Sequence, residues 1–226
     1  VENIPYAYEI SDYDYIAGLK SFQDGMYQIQ DISSMLAGEY TAPKAGDTIV
    51  DVCGAPGGKS INAALKMSEQ GDCGRVIARD LSDYKVALID ENIKRLNITN
   101  IQTQVYDALD CDESLINKAD IVIADLPCSG LGIIGRKPDI KYNASPEKLQ
   151  SLVDLQRDIL KVVSRYVKSG GVLMYSTCTI NRAENEDNAD WICKESGFTK
   201  DGEYHQLLPA NNSGMDGFFV ARLIKN

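Results

Sequence analysis

The chain is poor in metal ligands. It holds one histidine, His205, among 226 residues, so a structural zinc site built from clustered imidazoles and thiolates is not expected. Its six cysteines (53, 73, 111, 128, 178 and 193) include no C-x-x-C pair. A chain of this size does not need disulfide staples, and reduced thiols in a cytoplasmic protein are expected. No apolar run approaches the roughly 20 residues of a membrane helix, and no secretory signal is visible. The sequence begins at Val1 rather than Met, which suggests an excised or processed fragment. Positive charge is also short: 23 Lys and Arg face 33 Asp and Glu, a formal net charge of -10. Taken alone, that argues against nucleic-acid binding, because phosphate neutralisation needs Lys and Arg.

The charge is unevenly spread. Residues 129–168 carry eight basic side chains (Arg136, Lys137, Lys141, Lys148, Arg157, Lys161, Arg165, Lys168) against four acids. This strip is compatible with a polyanion; for residues after 145, a solvated helix face is the competing reading.

Length and a 44% hydrophobic content fit one good-sized core, with room for a small extra element. Residues 1–28 show no clear period and are expected to be a small sheet or the remnant of a preceding domain. Residues 29–40 read as a short helix capped near Asp31. These segments make 1–40 a small N-terminal unit and 41–226 the main domain. Beyond Pro43 the pattern alternates in a doubly-wound manner. Strands are expected at Thr48–Val52, Arg75–Arg79, Ile101–Tyr106, Ile121–Ala124 and Val172–Thr177. Helices are expected at Lys59–Glu69, Lys85–Leu96, from Ser145 to about Val167 with a stop near Gly170-Gly171, and at about Ala183–Glu195. Two last strands, near 198–204 and 217–224, form a terminal antiparallel hairpin. Seven strands so arranged, mostly parallel, with helices on both faces, suggest the Rossmann-like class I methyltransferase variant of the α/β fold.

Three segments follow strands directly and should face one crevice at the strands' carboxyl ends. The first is a glycine-rich turn, Cys53-Gly54-Ala55-Pro56-Gly57-Gly58-Lys59, whose glycines permit close backbone approach and lead into a helix N-terminus. The others are Asp125-Leu126-Pro127-Cys128 and Ser176-Thr177-Cys178. A glycine turn can hold a nucleotide-like cofactor and a thiolate can attack carbon. Together they suggest covalent chemistry on a second substrate beside a bound cofactor. A P-loop is the rival, but it would need glycine where Cys53 stands. Asp80, at the end of the second strand, can accept hydrogen bonds from both ribose hydroxyls of an adenosine cofactor. Asp107, after the third, could meet an adenine amino group. The alternative for each is a turn-capping acid. No acid is left over with matching ligands for a metal. For Cys128 and Cys178 the competing reading is burial as inert thiols. Cys73, Cys111 and Cys193 are read as inert, His205 as a surface or packing residue, and Tyr175 and Trp191 as core.

These residues resemble the RsmB/NSun family of RNA (cytosine-5)-methyltransferases, from about Gly25 to the C-terminus. Gln30-Asp31-Ile32-Ser33-Ser34 resembles its Q-D-x-S-S entry. Asp51–Lys59 resembles D-x-C-A-A-P-G-G-K, with Gly54 for the first alanine. Asp125–Gly130 with Gly132 and Arg136–Lys141 resembles D-x-P-C-S-G-x-G followed by R-x-P-D-x-K. Tyr175–Cys178 with Glu184-Asn185-Glu186 resembles Y-x-T-C and E-E-N-E, with Ala183 where an acid is usual. Asp216–Leu223 resembles the D-G-F-F ending. The likeness is strongest to the bacterial RsmB (Sun) branch, which methylates small-subunit ribosomal RNA and usually carries an N-terminal helical RNA-binding domain.

The resemblance implies S-adenosylmethionine as cofactor, held by Cys53 to Lys59 with Asp80, Asp107 and Asp125. It implies an RNA substrate, expected to be 16S ribosomal RNA with transfer RNA as the alternative, in a monomeric cytoplasmic enzyme. The family assigns the nucleophile to Cys178 and product release to Cys128. The sequence alone leaves open which cysteine attacks. Asp125 is expected on the cytosine edge, Lys59 beside the base or a thiol, and Arg136, Lys137 and Lys141 on flanking phosphates. A nucleotide hydrolase and a non-catalytic RNA-binding module are the rival classes.

Overall fold

The computed structural model describes residues 4–71, 74–209 and 215–226, with only the backbone of Asn143. Cys73 lies outside the described residues. After a 3-10 turn at Ile16–Gly18 come α1 (Lys20–Gln23) and α2 (Ile32–Thr41). The α/β alternation follows: β1 (Thr48–Asp51), α3 (Gly58–Glu69), β2 (Arg75–Asp80), α4 (Asp83–Arg95), β3 (Ile101–Val105) and β4 (Ala119–Asp125). Then come α5 (Ile140–Asn143), α6 (Pro146–Val163), β5 (Val167–Thr177), α7 (Glu186–Ser196), β6 (Phe198–Lys200), β7 (His205–Leu207) and β8 (Phe218–Lys225).

The sheet runs β3-β2-β1-β4-β5-β8-β6, with β7 also on β8. β1 to β5 pair in parallel, whereas β8 is antiparallel to β5, β6 and β7. Period-two burial divides the core between the two faces. Val50, Val122, Leu173 and Tyr175 pack with Ile159, Leu160 and Val163 of α6 and Ile192 of α7. Their neighbours Ile49, Ile121, Ile123, Val172 and Met174 pack with Ala37 of α2 and Ala63, Ala64 and Met67 of α3. Burial on both sides is why Ile121–Ala124 of β4 and Val172–Tyr175 of β5 read as unbroken apolar runs.

Local signals set the helix ends. Asp31 caps α2 by accepting the Ser33 N–H at 2.9 Å. Ser145 caps α6, with Pro146 in its first turn. Gly197, in the left-handed region, closes α7.

Several expectations are corrected. Among the described residues before α2 there is no strand, only the 3-10 turn and α1. α6 ends at Val163, not near Val167, because Val167 already pairs with Ala119 in β5. Gly170 and Gly171 therefore sit within β5, beside an irregularity in its pairing with β4, rather than ending a helix. α7 starts at Glu186 because the Glu184 and Asn185 side chains bond away from the helix, to Ser129, Gln156, Thr177 and Thr179. The short β7 makes an eighth strand. Among the described residues no helix is long and apolar enough to cross a membrane.

Candidate active site

The parallel strands deliver Asp51, Asp80 and Asp125 at their carboxyl ends, with Cys128 and Cys178 just beyond β4 and β5. A cavity of about 320 Å³ lies there, at the lower end of the range for small-molecule sites. Cys53, Gly54, Ala55, Pro56, Gly58, Lys59, Asp125 and Cys178 line it, with Gln28 to Asp31, Ser33, Ser34, Asp51, Ile133, Asp216 and Phe218. Gly57, Asp80, Asp107 and Cys128 are not part of its wall.

The glycine turn is tied to its surroundings at several points. Gly54 N–H donates to Arg79 O at 2.8 Å, and Gly57 N–H closes the turn on Gly54 O at 2.6 Å. Gly57 has φ +106°, a conformation side chains disfavour, and an added Cβ would meet Ile61 and Ile89 at 3.2 Å. Asp80 accepts the Ala55 N–H at 3.0 Å and the Leu81 N–H at 2.8 Å, and its carboxylate lies 3.0 Å from the Lys85 ammonium. Asp107 accepts the Leu109 N–H at 2.9 Å, the turn contact read as the alternative for strand-end acids. Ser60, the hydroxyl a P-loop would direct at a metal, instead donates to Asp51 at 2.6 Å.

Lys59, buried in the first turn of α3, places its ammonium 2.6 Å from Asp125, 3.2 Å from the Ser34 hydroxyl and 5.0 Å from the centre of the Phe218 ring. Ser176 donates to the other Asp125 oxygen at 2.8 Å. The Cys128 and Cys178 sulfurs stand 3.2 Å apart as free thiols.

This contact makes the two cysteines unequal. Cys178 faces the cavity, and the hydrogen bond from the Cys128 thiol draws its pKa below the ordinary value, with the Lys59 ammonium assisting. The same hydrogen bond and burial push Cys128 up. Burial also pushes Cys53 up, with Asp51 and Asp80 adding to it. Cys178 is thus the member of the pair best placed to be a thiolate.

Asp51 opens the glycine-turn motif at the end of β1. It is fully buried, and its Oδ1 has no hydrogen-bond partner. Burial pushes its pKa up to about 7, against the pull of Ser60 and Lys59. A buried acceptor without a partner is costly. In a cavity wall it suits a cationic group, so the residues present fit the amino-acid and sulfonium cofactor that the resemblance implies. Gln30, Ser34, Asp216 and Phe218 also join the wall. Their motifs carried the signal, but no local pattern said where these side chains point.

Arg136, expected on phosphate, pairs here with Asp31 and, at 3.1 Å, with Asp216, both in the cavity wall. Lys137 is exposed on the same loop, and Lys141 is exposed on α5, over the Tyr142 ring. Farther along the basic strip, Arg157 and Lys161 lie over Trp191, and Lys168 pairs with Asp120. His205 stacks on Tyr40 at 4.1 Å, while Tyr175 is buried and Trp191 half-buried.

A family model described as 16S rRNA methyltransferase RsmB/F matches residues 39–224. The chain is 38% identical over 229 residues to the probable ribosomal RNA small subunit methyltransferase B of Bacillus subtilis (strain 168), covering 93% of this chain and 50% of that protein. Of solved structures, PH0851 superposes with a TM-score of 0.87 at 30% identity, covering 95% of this chain and 50% of that one. NSun6 from Pyrococcus horikoshii with SFG superposes with a TM-score of 0.82 at 28% identity, covering 94% and 56%. The chain spans about half the length of the curated relatives it matches. These matches bear out the resemblance read from the motifs: the chain belongs to the 16S rRNA methyltransferase RsmB/F family.

Proposed function

We propose that this chain methylates carbon 5 of a cytosine in small-subunit ribosomal RNA, using S-adenosylmethionine and a transient covalent bond from Cys178. One observation carries the reading: a cavity-facing thiol, favoured as thiolate, lies 3.2 Å from a second thiol and beside a Lys59–Asp125 pair. The names of the relatives supply the RNA.

Carbon 5 of cytosine is a weak nucleophile. The Cys178 thiolate adds to carbon 6, and the ring's electrons move toward nitrogen 3, which takes a proton from solvent. Asp125, held by Lys59 and Ser176, accepts a hydrogen bond from the protonated pyrimidine edge and stabilises the charge that develops there. The ring is then an enamine with a reactive carbon 5, so one difficult step becomes easier ones. S-adenosylmethionine, when bound, supplies an electrophilic methyl group to that carbon. Solvent then takes the carbon 5 proton, the Cys178–carbon 6 bond breaks with the Cys128 S–H donating to the departing thiolate, and nitrogen 3 returns its proton to solvent.

Asp51, the turn from Cys53 to Lys59, Asp80 and Asp107 hold the cofactor; Asp80 acts partly by fixing Ala55. Arg136 exchanges its carboxylate partners for RNA phosphate, with Lys137 and Lys141 beside it. The target base must leave its stack to reach the cavity. The enzyme acts as a cytoplasmic monomer. Incubation with unmodified 16S ribosomal RNA and methyl-labelled S-adenosylmethionine tests the reading. Label should be recovered in 5-methylcytidine; label in any other nucleoside contradicts it.

A further inference from the structure

We propose that Glu184 and Asn185 are positioning residues that together hold the Cys128 and Cys178 sulfurs at their mutual distance. The proposal rests on the function proposed above. Both side chains are fully buried, just ahead of α7, and neither lines the cavity. One Glu184 oxygen accepts the Ser129 N–H and the Gln156 amide, each at 2.9 Å; the other accepts the Asn181 amide at 2.9 Å. The same Gln156 amide donates to Pro127 O at 2.9 Å. Both chain neighbours of Cys128 are therefore anchored on the Glu184–Gln156 pair.

Asn185 does the same for the other thiol. It accepts from the Thr177 hydroxyl at 2.6 Å and donates to Thr179 O at 3.0 Å and the Gln206 side chain at 2.8 Å. Thr177 and Thr179 flank Cys178. A 2.7 Å bond between the Ser129 and Thr179 hydroxyls ties the two loops directly. Two consecutive residues thus hold both chain neighbours of each cysteine, Pro127 through Gln156 and Thr177 through its hydroxyl. An acid and an amide in a dry interior are costly unless every partner is met. Apolar residues would fill the space as well but would set no sulfur position.

The loops lie on different strand ends, so a slack clamp changes the sulfur separation while the sheet stays intact. The S–H···S contact and the thiolate character of Cys178 depend on that separation. Cys128, Asp125 and Lys59 are the titratable groups acting on Cys178, and none is altered by substitution at 184 or 185.

The test combines the pH dependence of Cys178 alkylation by iodoacetamide, read peptide by peptide by mass spectrometry, with steady-state kinetics and thermal melts. The variants are Glu184→Gln, Glu184→Asp, Glu184→Ala and Asn185→Ala. Gln keeps the shape and an oxygen that accepts from Ser129 and Gln156, losing only the Asn181 bond, so Glu184→Gln should stay close to the parent. Asp withdraws the carboxylate by one methylene and cannot span both loops. It and the alanine variants should raise the alkylation midpoint by about one pH unit, the scale of one lost hydrogen bond to a charged group. kcat should fall on the order of 100-fold with KM for RNA little changed, as for an ångström-scale misplacement. If the alanine variants do not fold, Glu184→Asp carries the test. A folded Glu184→Asp protein with parental midpoint and kcat overturns the proposal. The alkylation readout needs no RNA, so failure of the proposed function, seen as no methyl transfer by the parent, is distinguishable from failure of the clamp.

Discussion

Substituting Lys59 by Met probes the charge at the centre of the site. The Lys59–Asp125 pair has an N···O distance of 2.6 Å, with 9% of the lysine and 29% of the aspartate side chain exposed. At an effective dielectric near 20, two charges so placed attract by about 6 kcal/mol before desolvation. Desolvation offsets several kcal/mol of this, and removing one partner of a buried pair costs about 3–5 kcal/mol. Asp125 keeps a wet edge and the Ser176 hydroxyl at 2.8 Å, so the loss should fall near the low end, about 3 kcal/mol. For a domain of this size that is a fall in Tm of about 6–12 °C. Calorimetry measures it directly. Adding Asp125→Asn should recover about half the loss, because the stranded carboxylate is the main penalty. Alkylation of Cys178 should also need a higher pH, since the ammonium is one of the groups holding its pKa down. A Lys59→Met protein melting within about 2 °C of the parent, or strictly additive effects in the double variant, would refute the reasoning.

Three other outcomes follow from the geometry. Burial lets the folded chain keep the Asp51 proton up to about pH 7, whereas an unfolded aspartate loses it near 3.8. Stability from this group is thus full at acid pH and is lost as pH rises through that window. Asp51→Asn should accordingly become more stable than the parent by a few kcal/mol above pH 7. Affinity for S-adenosylmethionine should rise between about pH 6 and 8 in the parent and stay flat in Asp51→Asn by titration calorimetry; a parallel pH response would contradict the assignment. Asp80→Ala frees the Ala55 N–H and should weaken S-adenosylhomocysteine binding on the order of tenfold, with unchanged affinity as the contrary result. Gly132→Ala places a Cβ 2.2 Å from Gly217 O and 2.8 Å from Cys178 O. Thermal melting should show a loss of about 2 kcal/mol or more, with altered Cys178 reactivity; parental values in both would count against this packing.

What the sequence makes legible here is mostly what one segment decides. The apolar runs of β4 and β5, the Ser145-Pro146 helix start and the glycine turn each follow from local chemistry, and together they bring Asp125, Cys128 and Cys178 to one end of a parallel sheet. The role of Glu184 and Asn185 was not legible, because their hydrogen bonds reach the chain around Cys128 and Cys178 and delay α7 to Glu186. The Asp31–Arg136–Asp216 group joins segments far apart in the chain. A basic residue at 136 reads as a phosphate contact, and nothing local shows the two acids that hold it in the folded chain. Gly170-Gly171 read as a helix stop because glycine serves both bulges and caps, and only strand pairing separates the two. Asp51 shows the same limit, since its raised pKa comes from burial on all sides. The preference for Cys178 over Cys128 as the thiolate rests on the 3.2 Å contact and on Cys178, alone of that pair, lining the cavity.

The central claim is that the Cys178 sulfur bonds to the pyrimidine and that Cys128 is needed to let it go. Denaturing electrophoresis of Cys128→Ala and Cys178→Ala proteins incubated with unmodified 16S ribosomal RNA and S-adenosylmethionine tests it most directly. Cys128→Ala should accumulate a ribonuclease-sensitive protein–RNA band, with the attachment mapped to residue 178. Cys178→Ala should give neither band nor 5-methylcytidine. Sustained turnover by Cys178→Ala, or attachment mapped to another residue, would contradict the account.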